Sequence, residues 1–204
     1  MNQLNNDIED WIEEWIKETG NPDKHDEAKK IYADYIMPAL LQKLEDSDPV
    51  GKQLRENGGV DTLFSVLGMT PAPIVITQHL LQPKNHVIFY DKNVKVKDDK
   101  ILALLDSNPT YVLLDDESFG TIYETMKEML IVSDGGNMVI DITGGKKSMT
   151  AAASIFAKDF DFSIVYVDMS SPDSYIPAIH QARPGCERLN LVYSPLRDLP
   201  ELFH

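Results

Sequence analysis

The chain has 204 residues, with 33 acidic against 19 basic side chains and a net charge of −14. Hydrophobic residues make up 43% and charged residues 25%, the proportions of a globular protein that buries a core and not of a disordered one. That charge argues against wrapping long DNA or RNA, which needs clustered positive residues, but leaves room for a short anion in one local basic pocket. The lone Cys186 excludes a disulfide scaffold or a cysteine zinc site, and favours a reducing, cytoplasmic setting. No apolar run approaches the ~18 residues of a membrane span, and the first ten residues do not read as a signal peptide.

In chain order, Ile8, Trp11, Ile12, Trp15 and Ile16 recur at three- and four-residue spacing and predict an amphipathic helix. A break falls at Gly20-Asn21-Pro22. A second stripe, Ala28, Ile31, Tyr32 and Tyr35, continues through Leu40, Leu41 and Leu44, and Pro38 is expected to kink that helix or to restart it. Between Asn2 and Gly58 there are fourteen Asp/Glu and seven Lys/Arg, so the outer face is a solvated acidic surface. Residues 1–60 therefore read as a helical arm that packs on the main domain or on a sister subunit.

Residues 61–204 alternate apolar runs with helical stretches. The predicted strands are 62–66, 86–90, 111–114, 138–142, 163–168 and 188–193; the predicted helices are 73–82, 98–106, 118–132, 146–159 and, weakly, 174–181. The inner strands are continuously apolar and β-branched, as when helices cover both faces of a parallel sheet. The predicted fold is α/β, a doubly wound, mainly parallel, Rossmann-like sheet with an N-terminal helical arm.

In such a sheet ligands bind beyond the carboxyl ends of the strands. Two loops stand out there: Gly68-Met69-Thr70-Pro71 after the first strand, and Thr143-Gly144-Gly145-Lys146-Lys147-Ser148 after the fourth. Glycine lets a ligand approach the backbone, the helix that follows presents free N–H groups, and the lysines and hydroxyls add phosphate donors. A Walker A loop is rejected because position 140 is Ile and Lys147 follows Lys146; no G-x-G-x-x-G follows the first strand. By composition alone the second loop is an anion site or simply a solvated helix start.

Taken together, Gly68-Met69-Thr70-Pro71, Asp141-Ile142-Thr143-Gly144-Gly145-Lys146-Lys147-Ser148-Met149 and Arg183-Pro184-Gly185-Cys186-Glu187-Arg188-Leu189 resemble, in this order, three motifs of the CRISPR-associated Rossmann fold (CARF) domain. The helical stretch Ile36-Met37-Pro38-Ala39-Leu40-Leu41 is similar to one in the arm of that group. The resemblance is to the sensor half of the ancillary ribonucleases of type III CRISPR systems and covers nearly the whole chain. The departures are Met69 where a small polar residue is usual, Lys146 where Thr is usual, with Lys147 matching the family lysine, and Cys186 where Ser or Thr is usual.

The resemblance implies a homodimeric cytoplasmic sensor that binds a cyclic oligoadenylate second messenger in antiviral defence. Its ligand-binding residues would be Gly68, Met69, Thr70, Thr143, Gly144, Gly145, Lys146, Lys147 and Ser148. A ring of four or six nucleotides contains a two-fold axis that a symmetric dimer can match. Two lysines per subunit give four positive charges, which favours four adenylates over six. Two alternatives stay open. One is a ring nuclease, in which the ligand's own 2′-hydroxyl attacks without a metal and Lys147 and Lys146 stabilise the developing charge. The other is an α/β interaction module with no nucleotide ligand. No cofactor or metal is expected, since His25, His79, His86 and His180 lack ligand spacing. A fused or separate effector is expected to read the bound state, and the chain as given, ending at His204, reads as a sensor domain without it; Arg197 and His204 match a ribonuclease spacing only by chance. Asp115, Asp116 and Glu117 could touch a ligand hydroxyl but read first as caps for the helix near Ser118; Asp168, Ser170 and Ser171 follow the fifth strand at the same edge, with a pocket rim as their weaker reading.

Overall fold

The computed structural model describes residues 2–97, 99–106, 108–133, 135–169 and 174–195, with side chains from residue 8 onward. The chain divides into two compact units: Met1–Asp48 with Asp168–Arg188, and Pro49–Val167 with Leu189–His204. The division falls at Asp48 and not at residue 60, and a late segment joins the helices. Among the described residues, no helix is long and apolar enough to cross a membrane.

The first unit is built on α1 (Asn2–Thr19), α2 (His25–Ile31) and α3 (Met37–Ser47). Asn21 accepts the Asp23 N–H at the break, where a short 3₁₀ turn runs over Pro22–Lys24. A π-helical turn, Tyr32–Ile36, joins α2 to α3, and Pro38 sits in the first turn of α3, where its missing N–H is no loss. The expected kink and restart are thus one feature. Ile8, Ile12, Trp15, Ala28, Ile31 and Ile36 form the core, and Trp11 stacks on Tyr35 at 4.0 Å between ring centroids. Ile176 and Ile179 pack against this cluster from the late segment.

That late segment corrects an expectation. In place of a helix over 174–181, β6 (Tyr175–Ile176) pairs antiparallel with β7 (Gln181–Ala182) around a four-residue turn. Pro177 cannot donate to a helical ladder, and His180 takes φ +53. Arg183 pairs with Glu9, and the buried Glu187 accepts the Gly185 N–H at 2.6 Å. Burial raises the Glu187 carboxyl above its usual range, opposed by backbone hydrogen bonds from Gly185, Cys186 and its own N–H.

The second unit opens with α4 (Pro49–Glu56), which the sequence had merged with the arm; Arg55 donates to the Leu80 carbonyl. Its sheet is six-stranded: β1 (Thr62–Leu67), β2 (Asn85–Asp91), β3 (Thr110–Leu114), β4 (Met138–Asp141), β5 (Ser163–Asp168) and β8 (Arg188–Tyr193). The order is β3-β2-β1-β4-β5-β8, and β1–β2, β1–β4, β2–β3 and β4–β5 are parallel. The order reverses between β1 and β4, so the switch point lies at their carboxyl ends. β1 is buried along its whole length because α5 (Ala72–Leu81) covers one face while α6 (Phe119–Ile131) and α7 (Lys147–Asp159) cover the other. The predicted helix over 98–106 is only a 3₁₀ turn at Leu102–Leu104 among the described residues. There the Asp99 carboxylate takes the N–H groups of Ile101 and Leu102.

Candidate functional site

The fold brings the two singled-out loops together at the switch point. Ser65 of β1 and Asp141 of β4 are register partners, so the chain leaves both strands at one edge. The loops then touch backbone to backbone. A Cβ on Gly144 would lie 2.3 Å from the Val66 carbonyl oxygen and 2.9 Å from the Gly68 nitrogen; one on Gly68 would lie 2.8 Å from the Gly145 nitrogen. Gly145 also takes φ +76, which a side chain would strain. These glycines are therefore required by loop-on-loop contact, a reason the sequence reading had assigned to an approaching ligand.

Thr143 serves a structural bond network. Its N–H and hydroxyl both donate to Asp141 Oδ1, at 2.9 and 2.5 Å, and its hydroxyl oxygen accepts the Val167 N–H at 2.8 Å. The Thr143 hydroxyl is thus taken within the fold and is not a free phosphate donor as expected. Thr150 on α7 closes the loop by donating to the Gly144 carbonyl at 3.2 Å.

The two lysines part company. Lys146, the residue before α7, reaches back to the strand ends: its ammonium pairs with Glu117 beyond β3 and lies 3.5 Å from Asp91 Oδ2 at the end of β2. The Glu117 hydrogen bond, and the charge of Asp91 behind it, hold the Lys146 ammonium above its usual range. Burial pushes the Asp91 carboxyl up, but hydrogen bonds from Asn93 and the Lys146 charge outweigh it and hold it below the ordinary value. Lys147, the first residue of α7, is exposed and makes no hydrogen bond or ion pair among the described residues. Neither does the side chain of Ser148. No side chain caps α7, and the Lys146 N–H points weakly at Met149 Sδ, 3.5 Å away. What this edge offers is a helix start with free N–H groups and a free cation, suited to an anion.

On the facing loop Met69 is 96% exposed and Thr70 is exposed. Of the acidic run after β3, Asp116 accepts the Ser118 N–H at 2.7 Å and the Thr121 hydroxyl at 3.1 Å, while Ser118 caps α6; Glu117 instead serves Lys146. Asp168 is half-buried at the end of β5; Ser170, Ser171, Arg197 and His204 lie outside the described residues. Asp91 escaped the sequence reading as part of this edge, whereas Asp141 was read at the head of the second loop and Glu117 as a helix cap. The position of Asp91 at a strand end was the available signal. Beneath α5, Ser65 Oγ and His86 Nε2 are 3.0 Å apart, but the pair is buried and burial drives the imidazole down to about 3, so it stays neutral. Among the described residues, no three His, Cys, Asp or Glu side chains group as a metal site requires.

No protein-family model matches the sequence, and no curated protein matches it significantly. Solved structures similar to it include Can2 from Sulfobacillus thermosulfidooxidans in complex with cyclic tetra-adenylate, at 20% identity and TM-score 0.46, over 61% of this chain and 37% of that one. Protein VC1899 from Vibrio cholerae is similar at 12% identity and TM-score 0.47, over 54% and 31%. Csm6 from Enterococcus italicus, bound to cyclic hexa-2′-fluoro-hexa-dAMP, is similar at 16% and 0.45, over 66% and 42%. The chain thus spans less than half the length of each of these solved chains.

Proposed function

We propose that this chain is a sensor for a cyclic oligoadenylate in type III CRISPR antiviral defence, of the CARF kind. The observation that carries the proposal is the pairing of Lys147, unpartnered among the described residues, with the uncapped start of α7 at the switch point of the sheet. The three motifs in family order add the nucleotide identity of the anion. The ligand contacts would come from Lys147, Ser148 and the backbone of residues 144–148, with Gly68, Met69 and Thr70 on the facing loop. Lys146 would contribute only after leaving Asp91 and Glu117.

The working unit in this reading is a homodimer, whose two-fold axis matches that of the ring. The charge count changes with the fold: one free lysine per subunit leaves two cations for the ring, and so few favour four phosphates over six. The effector that reads the bound state, fused or separate, is part of the proposal.

The test is isothermal titration of the purified protein with cyclic tetra- and hexa-adenylate, with sedimentation of the complex. Binding of neither ring would overturn the proposal. Mass analysis of the ligand after long incubation in chelator decides the ring-nuclease reading: linear products ending in 2′,3′-cyclic phosphate would establish it, and an intact ring would leave a sensor.

A further inference from the structure

Asp141 is fully buried at the end of β4, and the bonds it accepts are lopsided. Both donors from Thr143 fall on Oδ1, while Oδ2 has no hydrogen-bond partner among the described residues, although the Thr77 hydroxyl of α5 lies close enough to favour the ionised form. Around it stand Ser65 on β1, His86 of β2 bonded to Ser65, and Thr77; no charged side chain among the described residues is near enough to offset it. Burial pushes its carboxyl up to about 6, against the hydrogen bonds from Thr143, so the fold holds an acid at a cost. An asparagine would accept the same two bonds through its Oδ1 without burying a charge. What the carboxylate adds is strength in those bonds, since an ionised acceptor roughly doubles them.

The bonds govern one object. Thr143 opens the turn that carries Gly144, Gly145, Lys146 and Lys147, and its hydroxyl ties that turn to β5 through Val167. We propose that Asp141 is a positioning residue: through Thr143 it fixes the turn from which Lys147 and the α7 N–H groups face an anion. The inference rests on the oligoadenylate reading for its ligand, though not for the geometry it describes.

Three variants, Asp141→Asn, Thr143→Val and Thr143→Ser, test it at pH 8 by amide hydrogen exchange, thermal melting and titration with cyclic tetra-adenylate. Asp141→Asn and Thr143→Val should speed exchange in residues 143–148 while leaving the amides of β1 and β4 protected. They should weaken ligand binding by at least about fivefold. Thr143→Ser, which keeps the hydroxyl, should stay within about twofold of the parent in both readouts. Asp141→Asn should melt no lower than the parent, so the loss of binding would run against the change in stability. Unchanged exchange across residues 143–148 in Asp141→Asn and Thr143→Val would overturn the inference whatever the ligand does. So would failure of Thr143→Ser to rescue, or binding lost only in step with a lowered melting temperature. A parent protein that ignores the ring while the variants still loosen the turn would sink the ligand and keep the positioning role.

Discussion

Lys146 and Lys147 are adjacent in sequence, yet the fold gives them opposite tasks. The first is held by Asp91 and Glu117; the second faces solvent unpaired among the described residues. Lys147→Ala is expected to weaken cyclic tetra-adenylate by at least about tenfold and to flatten the salt dependence. Lys146→Ala should weaken it by less than about threefold, because that charge is already answered. Titration at two salt concentrations checks both, and equal losses would show that Lys146 swings to the ligand. Asp141 allows a pH prediction. Its folded value of about 6 lies above the usual carboxylate value of about 3.9, so burial destabilises the charged fold. The penalty is complete above pH 6 and fades as pH falls through 6 toward 4. Asp141→Asn should therefore raise stability at pH 8 by up to about 3 kcal/mol, and the advantage should shrink by pH 5. Denaturant melts at the two pH values measure it; a gap that stays constant would refute it.

At the scale of elements, β1, α5, β4 and α7 were legible because each carries its own signal. Continuous apolar runs mark the buried strands, and Gly-Gly-Lys-Lys before an alanine-rich stretch marks the start of α7. The 98–106 and 174–181 segments were misread. The first closes only the short turn Leu102–Leu104 among the described residues, its start capped by Asp99, and in the second Pro177 with a left-handed His180 made a hairpin. The loop glycines give a contrast between strained and free positions. Gly144→Ala would drive a Cβ to 2.3 Å from a backbone carbonyl, so it should lower the melting temperature and abolish ligand binding. Gly120, in the first turn of α6, has nothing within 4 Å of its Cβ position, and Gly120→Ala should add up to about 1 kcal/mol. Calorimetry of both variants decides whether contact or mere flexibility explains the glycines.

At the scale of the molecule, the helices and the segment Asp168–Arg188 form one unit although some 120 residues of sheet and helix separate them in sequence. Ile176 and Ile179 share a core with Ile8, Ile12 and Trp15. Deleting residues 1–48 should therefore strip that cover and make the remainder aggregate, whereas Ile36→Ala should cost about 2–5 kcal/mol and keep the chain soluble. Sedimentation and denaturant melts read the two outcomes. A soluble deletion with an unchanged melt would show that the late hairpin needs no partner.

The sequence by itself determined the fold class, the six strands of the main sheet with α5, α6 and α7 among them, the two loops at its carboxyl edge and the helix start with its lysines. All of these are local: periodicity, glycine and proline chemistry, and residue type within one element. Only the tertiary structure decided that Lys146 is answered by acids from two other strand ends, that Thr143 ties its turn to β5 while the glycines let the two loops touch, and that the late hairpin joins the helical core. Each of those depends on which distant side chains meet at an edge. Hydrogen bonds and ion pairs between elements leave no period in the chain, because their partners are chosen by the packing of the sheet and not by their neighbours in sequence.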